Sequence, residues 1–335
     1  MKKCVLLDLD LSLSGKGYTI HLFQMGLINL QEQFTLTWHI TDDDIGKELK
    51  TFLKEQNISS RALTDIKFSG GFIKVNNVEK TVKYKLQQLD IVEVVFPMED
   101  KNQQMLGEHI PLEILYEDRD ILVVNKPPYM NTIPSREHPT ASLANALVHY
   151  YESTGIHAAI HIVTRLDRDT SGLVLIAKHR HAHHLLSIMQ QRHEIKRYYE
   201  AFVGGIGLEK MGTIHAAIGR NPNSIIEREV RMDGQYAVTH FQKLVEYPSF
   251  SHVRLKLETG RTHQIRVHMA FINHPLIGDD LYGGDVVLLE RQALHCSEIQ
   301  FHHPFQSKLL QLTAPLPDDM KQLLQLKESF QKESL

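Results

Sequence analysis

The stretch HIVTRLDRDTSGLVLIAK, residues 161–178, decides how the second half of the chain folds. Its last part contains an unbroken apolar run, LVLI at 173–176, between a glycine and a basic turn, which predicts a strand over 172–178 that is buried on both faces. Six of the seven residues before that run's glycine are polar: Arg165, Asp167, Arg168, Asp169, Thr170 and Ser171. Such a loop is usually only solvated, but a carboxylate between two arginines at the end of a buried strand is expected to stay ionised.

This segment resembles the active-site signature of RluA-type pseudouridine synthases, usually written HRLDRxTSG. Asp167 stands at the family's catalytic aspartate, and Thr164 replaces the usual His. Four other segments resemble the family in the same order: 113–135, 196–203, 258–283 and 291–305. The resemblance implies an α+β fold with a predominantly antiparallel mixed-sheet catalytic domain. It also implies an isomerase that converts specific uridines of structured RNA to pseudouridine.

The chemistry of that reaction limits what the site must contain. A carbon–nitrogen glycosidic bond breaks and reforms as carbon–carbon within one nucleotide, so the resemblance implies no cofactor, no nucleotide cofactor and no metal. An ionised carboxylate suffices, whether it acts on the ribose or attacks the ring. The target base must be flipped out of folded RNA. Arg165, at the family's intercalating arginine, is suited to fill the vacated stack, and Arg168 is a second expected RNA contact.

Two further segments carry candidate site residues. Tyr199 falls on the family's Tyr-x-Ala motif, where the tyrosine stacks against the target base, although a strand tyrosine is more often core packing. In GRTHQIR, 260–266, either Arg261 or Arg266 is expected to pair with the catalytic aspartate, and spacing does not separate them. Thr262 is expected to cap the following helix and to leave Arg266 near its polar edge.

Lys126 ends the second of two predicted strands around the turn at 117–120, because Pro127 cannot donate to a ladder. The turn resembles the family's Lys-Pro-x-Gly motif, with Tyr129 in place of the glycine. Lys126 is either a charged strand end or an RNA contact.

Residues 41–98 read as helix, helix, hairpin and strand, and they resemble a small α/β S4-like RNA-binding domain. The first helix is expected at 46–56, the second after Ser59, the hairpin around Asn76-Asn77 and the strand at 90–96. Arg61 and Lys67 are its expected RNA contacts, and Leu89 stands where the family usually has Gly. The alternative is a generic small domain with a solvated basic face.

The remaining segments complete the predicted organisation. Residues 1–40 are an extension of uncertain order or a mis-assigned start, 99–111 a polar linker, and 112–335 the catalytic domain, whose terminal helix from about Asp318 buries Leu323, Leu324 and Phe330.

Composition is consistent with a cytoplasmic RNA enzyme but does not by itself indicate one. The chain has two cysteines and no apolar run of about eighteen residues, which argues against disulfides and a membrane span. The net charge of −3 is unusual for an RNA-binding protein, yet residues 161–200 are locally basic, and histidines there could add charge below neutral pH. His179, His183 and His184 lack the ligand set of a zinc site. We expect a monomer.

Two other functions are compatible with parts of the sequence. One is a catalytically inactive RNA-binding protein of the same fold. The other is a hydrolase using Ser171 with a histidine, which would need a nucleophile elbow that the sequence lacks. Structured RNA is the expected partner, and ribosomal RNA is favoured over transfer RNA only by the small domain.

Overall fold

A computed structural model describes residues 33–99 and 105–332, with side chains described up to residue 325, so the predictions for residues 1–32 and for Phe330 lie outside it. The helices are α1 Leu49–Glu55, α2 Ser60–Phe68, α3 Leu143–Thr154, α4 Arg180–Gln191, α5 Gln264–Phe271 and α6 Asp318–Lys332. The strands are β1 Thr35–His39, β2 Phe72–Val75, β3 Val78–Glu79, β4 Ile91–Val95, β5 Glu113–Glu117, β6 Ile121–Lys126, β7 His161–Ile162, β8 Ser171–Ala177, β9 Lys196–Gly204, β10 Met211–His215, β11 Ile218–Arg220, β12 Arg228–Val230, β13 Val238–Glu246, β14 Phe250–Leu257, β15 Leu294–His302 and β16 Leu309–Thr313.

The small domain is a four-stranded sheet in the order β1-β4-β2-β3, covered by α1 and α2. Asn76 and Asn77 both have positive φ (52° and 65°), as a two-residue hairpin turn requires. The predicted second helix is confirmed, and the side chain of Ser59 caps it by accepting a hydrogen bond from the amide of Ala62. The predicted start of the domain at residue 41 is too late, because β1 pairs with β4 and belongs to this sheet.

The large domain is built on a sheet in the order β10-β13-β14-β9-β15-β8-β6-β5, with β16 beside β15 and β7 beside β8. Among these pairings only β8 with β15 is parallel, so the predicted α+β, mainly antiparallel mixed sheet is confirmed. All seven residues of β8 are buried, as its apolar run predicts. Among the described residues, no helix has both the length and the apolar character needed to cross a bilayer.

Gly172 permits the crossing at which β8 leaves the polar loop. Its φ is +113°, and a Cβ there would lie 2.3 Å from the carbonyl oxygen of Cys296 on β15. Only glycine fits such a close approach of two backbones. The start of β8 is therefore held against β15, and the loop before it is fixed at the centre of the sheet.

The described parts of the predicted linker pack on the large domain. The Glu99 carboxylate lies 2.6 Å from Nε2 of His161 and accepts the amide of Arg180. On the other side of the gap, Asn145 of α3 donates to the carbonyl of Leu106 at 2.9 Å. These described residues of the predicted linker are therefore held by hydrogen bonds to the large domain.

The histidines at the start of α4 are enclosed by aromatic residues from both domains. The ring of His179 stacks on the ring of Phe34, with 3.7 Å between the two centroids. The ring centroid of His181 lies 5.1 Å from that of Phe96 and 5.7 Å from that of Phe305. Burial lowers the pKa of His181 to about 3 and also lowers the pKa of His179. The expectation that histidines of the 161–200 segment add charge below neutral pH is therefore wrong for His181, which is buried.

Candidate active site

The polar loop before β8 is held through its backbone by buried side chains. Thr132 Oγ1 donates to the carbonyl of Leu166 at 2.6 Å and accepts from its amide at 3.2 Å. The next three carbonyls along the loop also accept hydrogen bonds. The carbonyl of Asp167 accepts from the Thr170 amide at 3.2 Å. The carbonyl of Arg168 accepts from Lys126 Nζ and that of Asp169 from Arg291 Nη1, both at 3.0 Å. Because each of these peptide groups has a partner, the loop has little freedom to move.

Lys126 lies beneath this loop and is not an RNA contact in this structure. Its side chain is fully buried, and Nζ donates to the carbonyls of Pro127, Met130 and Arg168 at 2.9, 2.8 and 3.0 Å. Burial lowers the pKa of Lys126 to about 7, against the attraction of Asp169 and Asp167. Only the ammonium form supplies a donor for each carbonyl. The predicted RNA-binding role of Lys126 is wrong because no RNA group can reach its nitrogen.

Asp167 faces Arg266, which a second carboxylate holds in place. Asp167 Oδ2 lies 3.6 Å from Arg266 Nη1, and Arg266 Nε and Nη2 each donate to Asp279 at 2.7 Å. Asp279 is fully buried. Burial opposes the charge on Arg266, but the hydrogen bonds to Asp279 and the nearby Asp167 outweigh it and raise the pKa of Arg266. A bidentate partner fixes the guanidinium plane and leaves Nη1 directed at Asp167.

The two candidate arginines are therefore separated by the structure. Arg261 is exposed, and its Nε donates to the carbonyl of Tyr236 at 3.0 Å, whereas Arg266 is buried beside Asp167. Helix α5 begins one residue later than a Thr262 cap requires, with His263 at φ 58° before its first turn. The expectation that Arg266 lies at a polar edge is wrong, because residues 264–269 of α5 are all buried.

His263 also faces the carboxylate, although its sequence context did not predict it. Its Nε2 lies 4.0 Å from Asp167 Oδ2, and its Nδ1 lies 2.8 Å from the hydroxyl of Tyr282. The Tyr282 oxygen accepts the amide of Arg228, so its hydrogen is free to be donated to Nδ1 of His263. That arrangement assigns the ring proton to Nε2, facing Asp167. Burial lowers the pKa of His263, and Asp167 acts in the opposite direction.

Asp279 and Tyr282 were missed for a related reason. Both lie within the segment 258–283 that resembles the family, in the stretch GDDLYG, which reads as a loop. The only available signal was an acidic pair next to an aromatic residue between glycines. Nothing in the spacing shows that Asp279 is fully buried or that the Tyr282 ring lies 4.9 Å from the Arg266 guanidinium.

Tyr199 forms part of the floor of the site. It is 4% exposed on β9, paired across to Cys296 on β15, and it shares the buried face with Ala201 and Val203 as the alternation predicts. Burial raises the pKa of Tyr199, so the phenol is neutral. The ring offers an apolar surface with a polar tip.

These groups line an open cavity of about 70 Å³, several times the roughly 10–15 Å³ that one water needs. Arg165, Asp167, Tyr199, Arg261 and Arg266 are among its lining residues. The other predicted RNA contacts lie elsewhere. Arg168 is half-exposed with Nη1 3.8 Å from Asp169, and Arg61 and Lys67 are exposed on α2 of the small domain.

One group of side chains among the described residues has the composition of a metal site. Asp118, Asp120 and His303 bring ligand atoms within 4.8 Å of one another. Asp118 Oδ1, however, accepts the amides of Asp120 and Ile121 in the β5–β6 turn, and Nδ1 of His303 accepts the amide of Phe305. These bonds explain the cluster as turn structure.

Known proteins resemble this chain in sequence and in fold. A family profile described as RNA pseudouridylate synthase matches residues 120–271. A Bacillus subtilis protein named uncharacterized RNA pseudouridine synthase YjbO is 51% identical over 82% of this chain and 98% of its own length. A Haemophilus ducreyi protein named ribosomal large subunit pseudouridine synthase D is 34% identical over 90% of this chain and 98% of its own. A solved structure, Human RNA Pseudouridylate Synthase Domain Containing 1, is similar in fold with a TM-score of 0.52 and 24% identity, over 66% of this chain and 96% of that one.

Proposed function

The chain belongs to the RNA pseudouridylate synthase family and is an isomerase acting on RNA, and from this premise we propose that Asp167 is its catalytic carboxylate. The observation that carries the proposal is the line Asp279–Arg266–Asp167, in which a buried bidentate pair aims Nη1 at Asp167 in the pocket. A fixed opposing charge holds the carboxylate in position before the base arrives.

The other pocket residues supply binding and orientation in this proposal. Uracil detaches from the ribose at N1 and reattaches through C5, so N1 gains a proton and C5 loses one. Asp167 serves as nucleophile or as base at the ribose. Tyr199 contacts the face of the flipped base with its ring. Arg165, exposed at the rim, fills the vacated stack and meets a phosphate.

We further propose structured ribosomal RNA as the substrate. Support comes from the relative named ribosomal large subunit pseudouridine synthase D, which matches over nearly its whole length. In the small domain, Arg61 and Lys67 project from α2 and would meet phosphates, as an S4-like RNA-binding domain would use them. Transfer RNA is the alternative substrate. We also propose that the protein acts as a monomer in the cytoplasm without a cofactor.

The two competing functions are disfavoured by particular observations. A hydrolase would need an accessible serine, but Ser171 Oγ and His295 Nδ1, 2.9 Å apart, are both buried in the sheet. Burial lowers the pKa of His295 to about 4. An inactive RNA-binding protein would have no use for a buried bidentate pair behind Asp167, which costs desolvation of both partners.

The first test replaces Asp167 by Asn, which keeps the shape but removes the charge. We expect no pseudouridine in a single-turnover assay and RNA affinity within roughly a few-fold of wild type, because the carboxylate acts on the bond rather than on binding. The matched control is Asp318→Asn, an exposed aspartate in α6. Turnover by the purified Asp167 variant would refute the assignment.

The substrate is tested by mapping pseudouridines in all stable RNAs of a strain that lacks the protein. We expect uridines left unmodified in ribosomal RNA, and their modification by the purified enzyme on transcripts of the same region. Sites missing only from transfer RNA would replace the ribosomal proposal with the alternative.

A further inference from the structure

Arg291 is a fully buried cation that is not among the residues lining the pocket. Its Nε and Nη2 donate to Oδ2 and Oδ1 of Asp319 at 2.7 and 2.8 Å. Its Nη1 donates to the carbonyl of Asp169 at 3.0 Å and of Gln292 at 3.1 Å. The side chain is 0% exposed, whereas Asp319, in the first turn of α6, is 31% exposed. A buried guanidinium with this many partners has one available orientation.

The contact of Arg291 with Asp169 lies two residues from Asp167. The loop carbonyl that Arg291 holds is followed by Thr170, whose amide donates to the carbonyl of Asp167 itself. If Arg291 turned away, the partly buried Asp169 carbonyl would lose this donor. The peptide would then move to find another partner, because an unpaired carbonyl out of reach of water is unfavourable.

The backbone of Arg291 is also in contact with the segment that holds Arg266. A Cβ on Gly278 would lie 1.9 Å from the Arg291 carbonyl oxygen, so only glycine fits where these two backbone segments cross. Ala293 donates its amide to Ile277 at 2.8 Å across the same crossing. The residue after Gly278 is Asp279, the partner of Arg266. Arg291 therefore supports the loop that carries Asp167 through its side chain, and the segment that orients Arg266 through its backbone.

Helix α6 contacts Arg291 through Asp319 in its first turn. Its Met320 and Leu323 are buried in a separate apolar cluster with Phe202, Phe250 and Ile277. The cluster places the first turn of α6 so that Asp319 meets Arg291. Docking of the terminal helix and the geometry of the catalytic loop are thus joined by one salt bridge.

We propose that Asp319 and Arg291 are positioning residues for the reaction, through which the docked terminal helix α6 holds the catalytic loop in its working geometry. The proposal rests on the proposed function in taking Asp167 as the catalytic carboxylate. Neither residue touches the pocket, so their effect is on the rate of the chemical step and not on RNA affinity.

The test compares Asp319→Asn with Asp318→Asn in the same turn of α6. Asp318 has a side chain 91% exposed and pairs with Lys321 at 2.8 Å, so it is a matched control. Amide hydrogen exchange of the peptide covering 164–171 is measured in the RNA-free protein. The single-turnover rate is measured at saturating RNA. For Asp319→Asn we expect faster exchange in that peptide, an unchanged Kd for RNA and a rate lower by on the order of tenfold to a hundredfold.

The outcomes separate this proposal from the assignment of Asp167. Wild-type exchange and rate in Asp319→Asn would overturn it, even if the melting temperature fell, because α6 would then be only a structural support. A raised Kd at an unchanged rate would also overturn it. If Asp319→Asn does not fold, Arg291→Lys is used, which keeps the charge but cannot serve both partners, and the same expectations apply. Hydrogen exchange does not depend on turnover, so an active Asp167→Asn would refute the catalytic assignment and leave this loop measurement standing.

Discussion

At the scale of single residues, the site depends on which atoms of a residue are used. Asp167 and Asp169 have the same side chain, yet Asp167 presents its carboxylate to the pocket, whereas Asp169 is held through its main-chain carbonyl. Lys126 and Arg168 are both basic, but Lys126 is enclosed and Arg168 is half-exposed. Residue type alone therefore does not identify a role in this loop.

The separation of Arg266 from Arg261 leads to a prediction for two arginine-to-methionine variants. Arg266→Met removes the charge that faces Asp167 and leaves Asp279 buried without its partner, so we expect the single-turnover rate to fall on the order of 10²–10³-fold. Arg261→Met should weaken RNA binding more than it slows the rate, because Arg261 is exposed at the rim. Arg266→Lys guards against misfolding of the first variant. Equal rate losses for both positions would contradict the assignment.

Lys126 supports a prediction about stability. Lys126→Met keeps most of the side-chain bulk but leaves three carbonyls, those of Pro127, Met130 and Arg168, without their donor. We expect the free energy of unfolding to drop by about 1–3 kcal/mol, the cost of one buried unpaired carbonyl, because only the contact with the Met130 carbonyl is fully buried. Denaturant titration measures this, with Arg168→Met as the exposed comparison. The salt dependence of RNA binding should change only for Arg168→Met, and a change for Lys126→Met would restore its role as an RNA contact.

At the scale of elements, helix α4 shows how a polar sequence can be buried. Its first residues, RHAHH, suggest a basic surface helix. In the structure, the N-cap His179 accepts the Ala182 amide on Nδ1 and lies 3.0 Å from Asp120 through Nε2. His181 is enclosed by Phe96 and Phe305. The beginning of α4 is thus part of the contact between the two domains.

The burial of His181 predicts a pH dependence of stability. Its folded-state pKa of about 3 lies below the value of 6.5 expected in the unfolded chain, so below pH 6.5 the unfolded chain binds a proton that the folded protein does not. Stability should therefore fall as the pH falls, by about 2 kcal/mol from this group between pH 7 and pH 5.

This pH effect is measured by denaturant unfolding at both pH values. His181→Leu should remove the contribution and make the pH dependence shallower. The exposed His302 on β15 provides the control His302→Leu, which should leave the dependence as it is. A His181→Leu protein with an unaltered pH dependence would show that His181 accepts its proton in the folded state.

At the scale of the whole molecule, the small domain and the large domain have separate hydrophobic cores. The core of the small domain includes Leu49, Phe52 and Ile66, and the core of the large domain surrounds β8. The small domain presents Arg61 and Lys67 to solvent, while the pocket with Asp167 lies in the large domain. A net charge of −3 is compatible with RNA binding when basic groups are segregated in this way.

The division predicts that affinity and rate respond to different substitutions. Arg61→Ser combined with Lys67→Ser should reduce the slope of log Kd against log salt by roughly 0.7–0.9 for each lost phosphate contact and leave the rate at saturating RNA unchanged. Lys321→Ser on α6 is the control. Deleting the small domain would be a poorer experiment, because it uncovers His181 and Phe305. An unaltered salt slope would remove α2 from the proposed RNA surface.

The local elements and the family could be predicted from the sequence alone. The apolar run at 173–176 predicts β8, the Ser59 cap predicts α2, and Asn76-Asn77 predicts the hairpin, because each depends on residues that are neighbours in the chain. The ordered motifs likewise predict Asp167 as the catalytic carboxylate. They also showed that Tyr129 and Leu89 replace family glycines, but not that both keep a glycine-like backbone, with φ of 63° and 67°.

Which distant groups meet could not be predicted from the sequence, because it depends on how the elements pack. Arg266 rather than Arg261 faces Asp167 because Asp279, thirteen residues further on, is buried behind it and orients its guanidinium. Lys126 donates to the carbonyl of Arg168, which comes 42 residues later in the chain. Arg291 donates to the carbonyl of Asp169, which comes 122 residues earlier. The direction of a side chain and the desolvation of a charge depend on what packs around them after folding, and no spacing along the chain specifies those neighbours.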